Sequence, residues 1–348
     1  MCILYFRRKL FSRNQMRNLY IIGNGFDLYH GLDTKYQSFA KYLAEKDNEV
    51  YELFLTYYGL PDLSNAQITD EEYAAWATFE LALADLDYKQ ILDDYSDSIA
   101  NPAANNFKDR DWHTYQIEME MIIEKLTEKL ISNFNNFILN LKYPKNIDDK
   151  KIKILPQSLL LNFNYTNSIE KLYGISDTSI CYIHNKAKQN DSNIILGHGT
   201  DPTNFIENDP EPPNNLNEEE LELWREAMAD QHDYSYESAK SEILSYYTKA
   251  FKNTENIINQ NADLFNKLSN IENVYVLGHS ISEVDIKYFE KVFETIKKDA
   301  KWLVTYYSDY EKQKHLITLT TLGIKQHNLT QIKMEDLNKL AHNRILRQ

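Results

Sequence analysis

Short apolar segments that end in tight turns alternate with longer helical patterns along this chain, and this alternation limits the folds open to it. Leu19–Ile22 is the first such segment, and it runs directly into the turn Gly23-Asn24-Gly25. A short apolar run bounded by a glycine turn is typical of a buried β-strand. Further strands are predicted at Ile152–Leu155, Leu159–Phe163, Ser179–His184, Asn193–Leu196, Asn273–Leu277 and Trp302–Tyr307. Strands that alternate with helices predict an α/β fold around a doubly wound parallel sheet.

Two long stretches contain helical patterns but no predicted strands, at residues 34–140 and 216–268. We interpret them as helical insertions in a single α/β domain that covers residues 19–330. Residues 1–18 carry five Lys or Arg and no acid, and their apolar run is too short for a signal peptide. We expect a disordered basic leader there, with a membrane or nucleic-acid arm as the alternative. Residues 331–348 are expected to form a C-terminal helix or tail.

Charge and cysteine content narrow the class of protein. The chain has 38 Lys and Arg against 52 Asp and Glu, a formal net charge of −14. General nucleic-acid binding depends on basic residues that neutralise phosphates, so we expect none here. Two cysteines, Cys2 and Cys181, are too few for a disulfide framework or a four-cysteine zinc module, which favours a reducing cytoplasm. No run approaches the ~18–20 apolar residues of a membrane span, so we expect no membrane partner.

Glycine is scarce in this chain, which has nine where an average usage of ~7% would give about two dozen. A chain so poor in glycine places it mainly where the backbone needs a positive φ or must approach another group closely. Six of the nine glycines form three short clusters, at residues 23–31, 197–199 and 278. We therefore interpret the turns that contain them as candidate parts of a site.

The first glycine cluster follows the first predicted strand and reads Gly23-Asn24-Gly25-Phe26-Asp27-x3-Gly31. In open α/β sheets, ligands bind beyond the carboxyl ends of the strands, where glycines let the backbone approach a pyrophosphate. The spacing differs from that of the Gly-x-Gly-x-x-Gly dinucleotide motif, and no Gly-Lys-Ser/Thr phosphate loop follows. The alternative is an ordinary tight turn between a strand and a helix.

Polar side chains also close the later predicted strands. Asn162 and Asn164 follow one of them, and an Asn amide can hold a ribose hydroxyl or a water through its donor and acceptor atoms. His184 and His198 are expected at the ends of two neighbouring strands, and a histidine titrates near neutrality, which suits a general base. The last such turn reads Gly278-His279-Ser280-Ile281-Ser282-Glu283-Val284-Asp285. The alternatives are strand caps for the asparagines, structural histidines, and helix N-caps for the serines.

At these positions the chain is similar to the AbiH family of bacterial phage abortive-infection proteins. The similarity starts with LYIIGNGFDLYHGLDTKYQSF at Leu19–Phe39 and covers about residues 19–330. It continues through Trp76-x2-Phe79-Glu80, Asn162-Phe163-Asn164-Tyr165-Thr166, His184-Asn185, Gly197-His198-Gly199 and Gly278-His279-Ser280 with Asp285. More distantly, these motifs resemble the sirtuin-like (DHS-like) NAD-binding domains of bacterial defence proteins. That resemblance implies a Rossmann-like sheet with large helical insertions, and NAD as its substrate or ligand.

Carried over residue by residue, the sirtuin-like resemblance implies that Asn164 orients the nicotinamide ribose or the attacking water and that His184 is the general base. The cofactor-binding residues that we expect are Gly23, Asn24, Gly25, Asp27, Gly31, Thr34, Asn162, His198, Gly278, His279, Ser280 and Asp285. No metal is implied. Three positions depart from the sirtuin pattern: Asp27 stands where sirtuins often have a small hydroxyl residue, Thr166 replaces an aspartate, and Asn185 replaces a glycine. The zinc-binding cysteine module is also absent, so sirtuin-like protein deacylation is not expected.

The two resemblances together imply an anti-phage defence protein that binds NAD or a related nucleotide and hydrolyses NAD at the nicotinamide–ribose bond. Two alternatives stay open. One is a non-catalytic sensor of an NAD-derived nucleotide. The other is a metal-dependent nuclease or phosphohydrolase that uses Asp27, His198, His279 and Asp285. The expected partners are a phage-derived trigger or partner protein and further copies of the chain in a homo-oligomer.

Overall fold

The structure, a computed structural model, describes residues 16–64, 68–189, 193–207, 210–231 and 233–339 of the chain. Residues 1–15 of the expected leader and residues 340–348 of the expected tail lie outside the described residues. The described chain divides into two units. The sheet unit, as we call the first, has its described parts at 16–33, 142–186 and 254–339. The second, the helical unit, consists of Thr34–Leu141 and Ala187–Asn253.

The sheet unit contains one parallel sheet. Its strands are β1 (Asn18–Ile22), β2 (Ser158–Asn162), β3 (Ile180–Tyr182), β4 (Asn273–Leu277), β5 (Lys301–Tyr306) and β6 (Leu329–Lys333). They lie in the order β3-β2-β1-β4-β5-β6, and every neighbouring pair is parallel. The predicted α/β class with a parallel sheet is therefore confirmed. The strand order is that of the dinucleotide-binding Rossmann fold.

β1 lies at the centre of the sheet and is buried on both faces. Tyr20 and Ile22 belong to a core cluster that includes Phe26, just beyond the strand. Leu19 and Ile21 alternate with them and are also buried. A strand covered on both faces has a continuous apolar sequence, whereas a half-exposed strand alternates between apolar and polar residues. This is why β1 is so evident in the sequence.

Helices connect the strands and build the second unit. In chain order they are α1 (Asn24–Tyr29), α2 (Tyr36–Lys46), α3 (Asn48–Tyr57), α4 (Asp70–Ala75), α5 (Phe79–Ala82), α6 (Tyr88–Asp94), α7 (Thr114–Glu124), α8 (Leu130–Leu139), α9 (Ser168–Tyr173), α10 (Glu218–Gln231), α11 (Tyr234–Leu244), α12 (Tyr246–Lys249), α13 (Thr254–Gln260), α14 (Ala262–Asn266), α15 (Ile286–Thr295) and α16 (Asp309–Thr321). Helices α1, α9 and α13 to α16 belong to the sheet unit. None of the described helices combines the length and the apolar character needed to cross a lipid bilayer.

The helical unit is held together by aromatic packing around Phe79. The rings of Tyr36, Phe39, Phe54 and Trp76 all contact the Phe79 ring. Aromatic pairs at such distances add to the free energy of burying their area. The motif Trp76-x2-Phe79 therefore has a packing role in this unit.

Two predicted strands are not formed, and one observed strand was not predicted. Ile152–Leu155 is not a strand, because the N–H of Ile152 donates to the hydroxyl of Tyr173 and that of Leu155 donates to the hydroxyl of Tyr20 instead of joining a ladder. Asn193–Leu196 is not a strand either and belongs to the helical unit. The third difference is β6, which the sequence did not predict. This strand is partly exposed and polar at the sheet edge, so it lacks the apolar run of β1.

Candidate functional site

The carboxyl ends of the three central strands lie side by side. Ile22, the last residue of β1, is in register with Asn162 of β2 and Leu277 of β4. The turns that follow these strands therefore begin at one edge of the sheet. In this strand order the chain leaves β1 toward β2 on one side and later reaches β4 on the other. Ligands of open α/β sheets bind at such a switch point.

The turns after β1 and β4 interlock through their backbones. The N–H of Gly25 donates to the carbonyl of Gly278 at 2.7 Å, and the N–H of Gly23 donates to the carbonyl of Leu277 at 3.0 Å. A Cβ atom added at Gly278 would lie 2.1 Å from the backbone nitrogen of Phe26, and Gly278 has φ +65°. No side chain fits in that space, so the packing of two turns accounts for these glycines independently of any ligand.

One group of polar side chains surrounds Asp27, and we call it the Asp27 cluster. It consists of Asp27, Asn162, Asn164, Thr166 and Ser168, all nearly or fully buried. Thr166 Oγ1 donates to Asp27 Oδ2 at 2.6 Å, and the N–H of Asn164 donates to Asn162 Oδ1 at 3.1 Å. Burial raises the pKa of Asp27 to about 6, although the nearby side chains of Ser168, Thr166 and Asn164 act to lower it.

Several buried polar atoms of the Asp27 cluster have no hydrogen-bond partner among the described residues. They are Asp27 Oδ1, Asn162 Nδ2, Asn164 Nδ2 and Ser168 Oγ. Ser168 and Asn164 approach the Asp27 carboxylate closely enough to affect its pKa without making a hydrogen bond of good geometry. Folded proteins pair the great majority of buried polar atoms, so four unpaired atoms in one cluster mark it as unusual.

A second group is centred on Asp285, and we call it the Asp285 cluster. It consists of His184, His279, Asp285 and Tyr288. Asp285 Oδ1 lies 3.7 Å from His184 Nε2, and Asp285 Oδ2 lies 3.6 Å from His279 Nε2. The hydroxyl of Tyr288 lies 3.2 Å from the same nitrogen of His184. One carboxylate therefore stands between two buried imidazole rings.

The turn after β4 sets the orientation of His279. The N–H of Ile281 donates to His279 Nδ1 at 2.9 Å, so a neutral ring carries its proton on Nε2, the nitrogen that faces Asp285. Ile281 has φ +50°, which is rare for a β-branched residue. The Phe163 ring packs against His184 and His279 and further limits their rotation. The Asp285 cluster is thus held rigidly by its own turn and by aromatic contacts.

The structure places the two predicted catalytic residues in different clusters. Asn164 lies beside Asp27, whereas His184 lies beside Asp285. Phe163 precedes Asn164 in the chain, and successive residues of an extended chain point to opposite sides. Phe163 accordingly contacts the histidines of the Asp285 cluster, while Asn164 belongs to the Asp27 cluster.

The remaining predicted site residues are distributed unevenly. Asn24 opens α1 next to Gly25, Gly31 follows that helix with φ +86°, and Ser280 is exposed in the β4 turn. Thr34 and His198 belong to the helical unit. His198 therefore does not end a strand beside His184, which corrects the prediction that the two lie at neighbouring strand ends.

His198 sits in an apolar part of the helical unit. Its backbone pairs with Ala250 and Lys252, and the rings of Phe205, Tyr246, Tyr247 and Phe251 surround its side chain. Burial lowers the pKa of His198, so the ring is neutral near pH 7. Gly197 precedes it, and a Cβ there would lie 2.1 Å from the carbonyl oxygen of Ala250. Close packing therefore explains this glycine.

Sequence reasoning did not assign a role to three residues of the clusters. Thr166 and Ser168 lie just after Asn164, where the chain enters α9, and Tyr288 lies one helical turn after Asp285. The spacing Asp285-x-x-Tyr288 places both on one side of the chain and is the signal that could have indicated Tyr288.

Metal-ligating geometry is not found among the residues that the structure describes, where no three His, Cys, Asp or Glu side chains converge in a way that would hold an ion. Of the residues named for the alternative function of a metal-dependent nuclease or phosphohydrolase, His279 and Asp285 lie close together. However, Asp27 belongs to the other cluster and His198 to the helical unit.

The fold and its polar edge define the class of this protein, which is an α/β protein with the Rossmann strand order and two buried polar clusters after its central strands. The family model described as Bacteriophage abortive infection AbiH matches residues 19–306. The chain therefore belongs to the AbiH family, and this membership implies a role in defence against phage by abortive infection. Comparisons with curated proteins and with solved structures found no match.

Proposed function

We propose that this AbiH protein binds NAD or a related nucleotide at the carboxyl edge of its sheet and hydrolyses the bond between nicotinamide and ribose. The observation that carries the proposal is the Asp285 cluster. A buried imidazole, oriented by a carboxylate and a tyrosine hydroxyl, lies beyond the strand ends of a sheet with the Rossmann order.

The reaction requires a water oxygen to bond to C1′ of the ribose as the bond to nicotinamide breaks. Nicotinamide leaves with the bonding electrons, and the proton of the water passes to a base. His184 is our candidate for that base, because imidazole titrates near neutrality and its ring is held by Asp285 and Tyr288. Asn164 is our candidate for orienting the ribose.

The backbone after His184 supports the resemblance to sirtuin-like domains at a position where the sequences differ. Asn185 has φ +61°, in the left-handed region. Glycine adopts this conformation most easily, and Asn is among the few other residues that tolerate it. The replacement of the expected glycine by Asn185 is therefore compatible with the left-handed backbone at this position.

The expected nucleotide contacts are the remaining part of the proposal. They are Gly23, Asn24, Gly25, Gly31, Asn162, Gly278 and Ser280, all of the sheet unit. Hydrolysis of NAD would kill or arrest an infected cell, which fits abortive infection. Some control by a phage-derived trigger, a partner protein or self-association is then required in uninfected cells.

One observation favours a second candidate function, a nucleotide sensor without turnover. Asn164 and His184, the pair expected to act together, lie in separate clusters. Binding of an NAD-derived nucleotide does not require these two residues to act on one bond, whereas its cleavage does.

The test is to follow NAD, nicotinamide and ADP-ribose by mass spectrometry, both with the purified chain and in phage-infected cells. We expect NAD loss with the unaltered protein and a fall of about 100-fold or more with His184→Ala, the usual range for a lost general base. His327→Ala is the matched control, since His327 is exposed in the sheet unit.

If His184→Ala and the unaltered protein consume NAD equally fast, His184 takes no part in the reaction. Binding of ADP-ribose by calorimetry, with no product in either setting, would favour the sensor instead.

A further inference from the structure

A side chain of β5 holds the turn that follows β4. The backbone pairing of the two strands ends at Val276 and Val304, one residue before β4 itself ends at Leu277. Beyond that point the hydroxyl of Thr305 accepts a hydrogen bond from the N–H of Gly278 at 2.7 Å and donates one to the carbonyl of Val276 at 3.2 Å. A hydroxyl can donate and accept at the same time. One side chain therefore joins the first residue of the β4 turn to β5.

The β1 turn holds the same segment from the other side. The carbonyl of Gly278 accepts from the N–H of Gly25 at 2.7 Å, and a Cβ added at Gly23 would lie 2.5 Å from the Cα of His279. Thr305 is 2% exposed, so water does not readily replace its hydroxyl. The backbone that leads into His279 is thus fixed between the β1 turn and the side chain of Thr305.

The β4 turn needs such support because its backbone is strained. Ile281 has φ +50°, a conformation that β-branched residues rarely adopt. Strained residues keep their conformation only where the surrounding structure enforces it. The N–H of Ile281 donates to His279 Nδ1 at 2.9 Å, so the strained residue is the one that selects the tautomer of His279. Support of the turn and the state of this imidazole are therefore linked.

We propose that Thr305 is a positioning residue, which fixes the β4 turn through the N–H of Gly278 and thereby the tautomer and the orientation of His279. His279 Nε2 lies 3.6 Å from the carboxylate of Asp285, whose other oxygen faces His184. The effect of Thr305 on His279 is independent of the proposed function. An effect on turnover, passed through Asp285 to His184, rests on it.

The first test is nuclear magnetic resonance of the nucleotide-free protein, isotopically labelled at its histidine ring nitrogens and kept at a pH where imidazole is neutral. The His279 signal is the one that His279→Gln lacks. We expect His279 to carry its proton on Nε2 alone in the unaltered protein and to populate both tautomers in Thr305→Val, which loses the hydroxyl and keeps the branched shape. Thr305→Ser, which keeps the hydroxyl, should restore the single tautomer. Thr330→Val, at an exposed position of β6, is the matched control.

Amide hydrogen exchange of the unaltered protein is the second test, and it does not depend on whether Thr305→Val folds well. The N–H of Gly278 should be protected although it lies beyond the end of β4, because Thr305 accepts its hydrogen bond. In Thr305→Val its exchange should be about tenfold faster, the usual effect of losing one hydrogen bond. Free exchange of this amide in the unaltered protein would overturn the proposal.

The third test follows nicotinamide release. Thr305→Val should lower kcat by about threefold with KM unchanged, since small displacements of a catalytic group slow the chemical step. Thr305→Ser should restore the rate. If His279 keeps a single tautomer in Thr305→Val, Thr305 only stabilises the fold and the proposal is wrong, whatever the rate. If the unaltered protein releases no nicotinamide, the proposed function fails, and the His279 spectra still decide the role of Thr305.

Discussion

The two carboxylates at the edge of the sheet are held in opposite ways. Asp285 stands between the rings of His184 and His279, so both of its oxygens face protein groups. Asp27 is fully buried, accepts one hydrogen bond from Thr166 and leaves its other oxygen unpaired among the described residues. The Asp285 carboxylate is therefore flanked by two imidazole rings, whereas the Asp27 carboxylate is buried among hydroxyl and amide side chains.

Under the proposed function, this difference separates proton transfer from ligand binding. A group that moves protons must be held in one orientation, which the β4 turn and Phe163 provide for the histidines. A group that binds ligand must keep hydrogen-bonding capacity in reserve, at a cost in folding free energy. The following predictions test this separation.

The largest expected effect comes from Gly278→Ala, which should damage both clusters together. The new methyl group would lie 2.1 Å from the nitrogen of Phe26 in a residue with φ +65°, so the β1 and β4 turns could not interlock. We expect the free energy of unfolding to fall by about 4 kcal/mol or more, from backbone strain plus overpacking. Chemical denaturation measures the change.

Gly174→Ala is the matched control for this prediction. Gly174 has nearly the same φ, +67°, but no atom within 4 Å of an added Cβ. Its replacement should lower the free energy of unfolding by only about 1 kcal/mol. Similar losses for the two variants would show that the turns do not depend on their close approach.

Asp27→Asn should stabilise the protein at neutral pH. Burial raises the pKa of Asp27 from 3.8 to about 6, so the folded state binds its proton more tightly than the unfolded chain does. Stability therefore falls as the pH rises from about 4 to 6, and above that the charged group opposes folding by about 3 kcal/mol. The substitution removes this penalty.

Urea denaturation at several pH values measures this gain. It should approach about 3 kcal/mol at pH 7.5 and shrink steadily toward pH 4. Asp299→Asn, at an exposed position, is the control. A variant less stable than the unaltered protein at pH 7.5 would mean that the charge of Asp27 is satisfied in the folded state.

Asp285→Asn should have the smallest of these effects and should act on turnover alone. Loss of the carboxylate removes one of the groups that orient His184, so we expect nicotinamide release to slow by about tenfold. Binding of ADP-ribose, followed by calorimetry, should change little. Glu283→Gln, two residues earlier and exposed, is the control. If the variant binds ADP-ribose more weakly but turns over at an unchanged rate, Asp285 contacts the nucleotide, as the sequence predicts.

The sequence was most informative where a residue is constrained by its immediate neighbours in the chain. β1, β2, β4 and β5 were predicted because central strands of a parallel sheet have apolar runs that end in recognisable turns. The edge strand β6 was missed because its partly exposed pattern is ordinary for a loop. Ile152–Leu155 was predicted wrongly because two tyrosine hydroxyls, distant in the chain, pair with its backbone.

By itself, the sequence determined the parallel α/β class, the turns that meet at the sheet edge and the family to which the chain belongs. These follow from local patterns of apolar residues, glycines and short motifs. Only the tertiary structure decided that Asn164 joins Asp27, that His184 joins Asp285 and that His198 lies in an aromatic environment of the helical unit. Such partnerships depend on side-chain direction and burial between segments far apart in the chain, which no local pattern records.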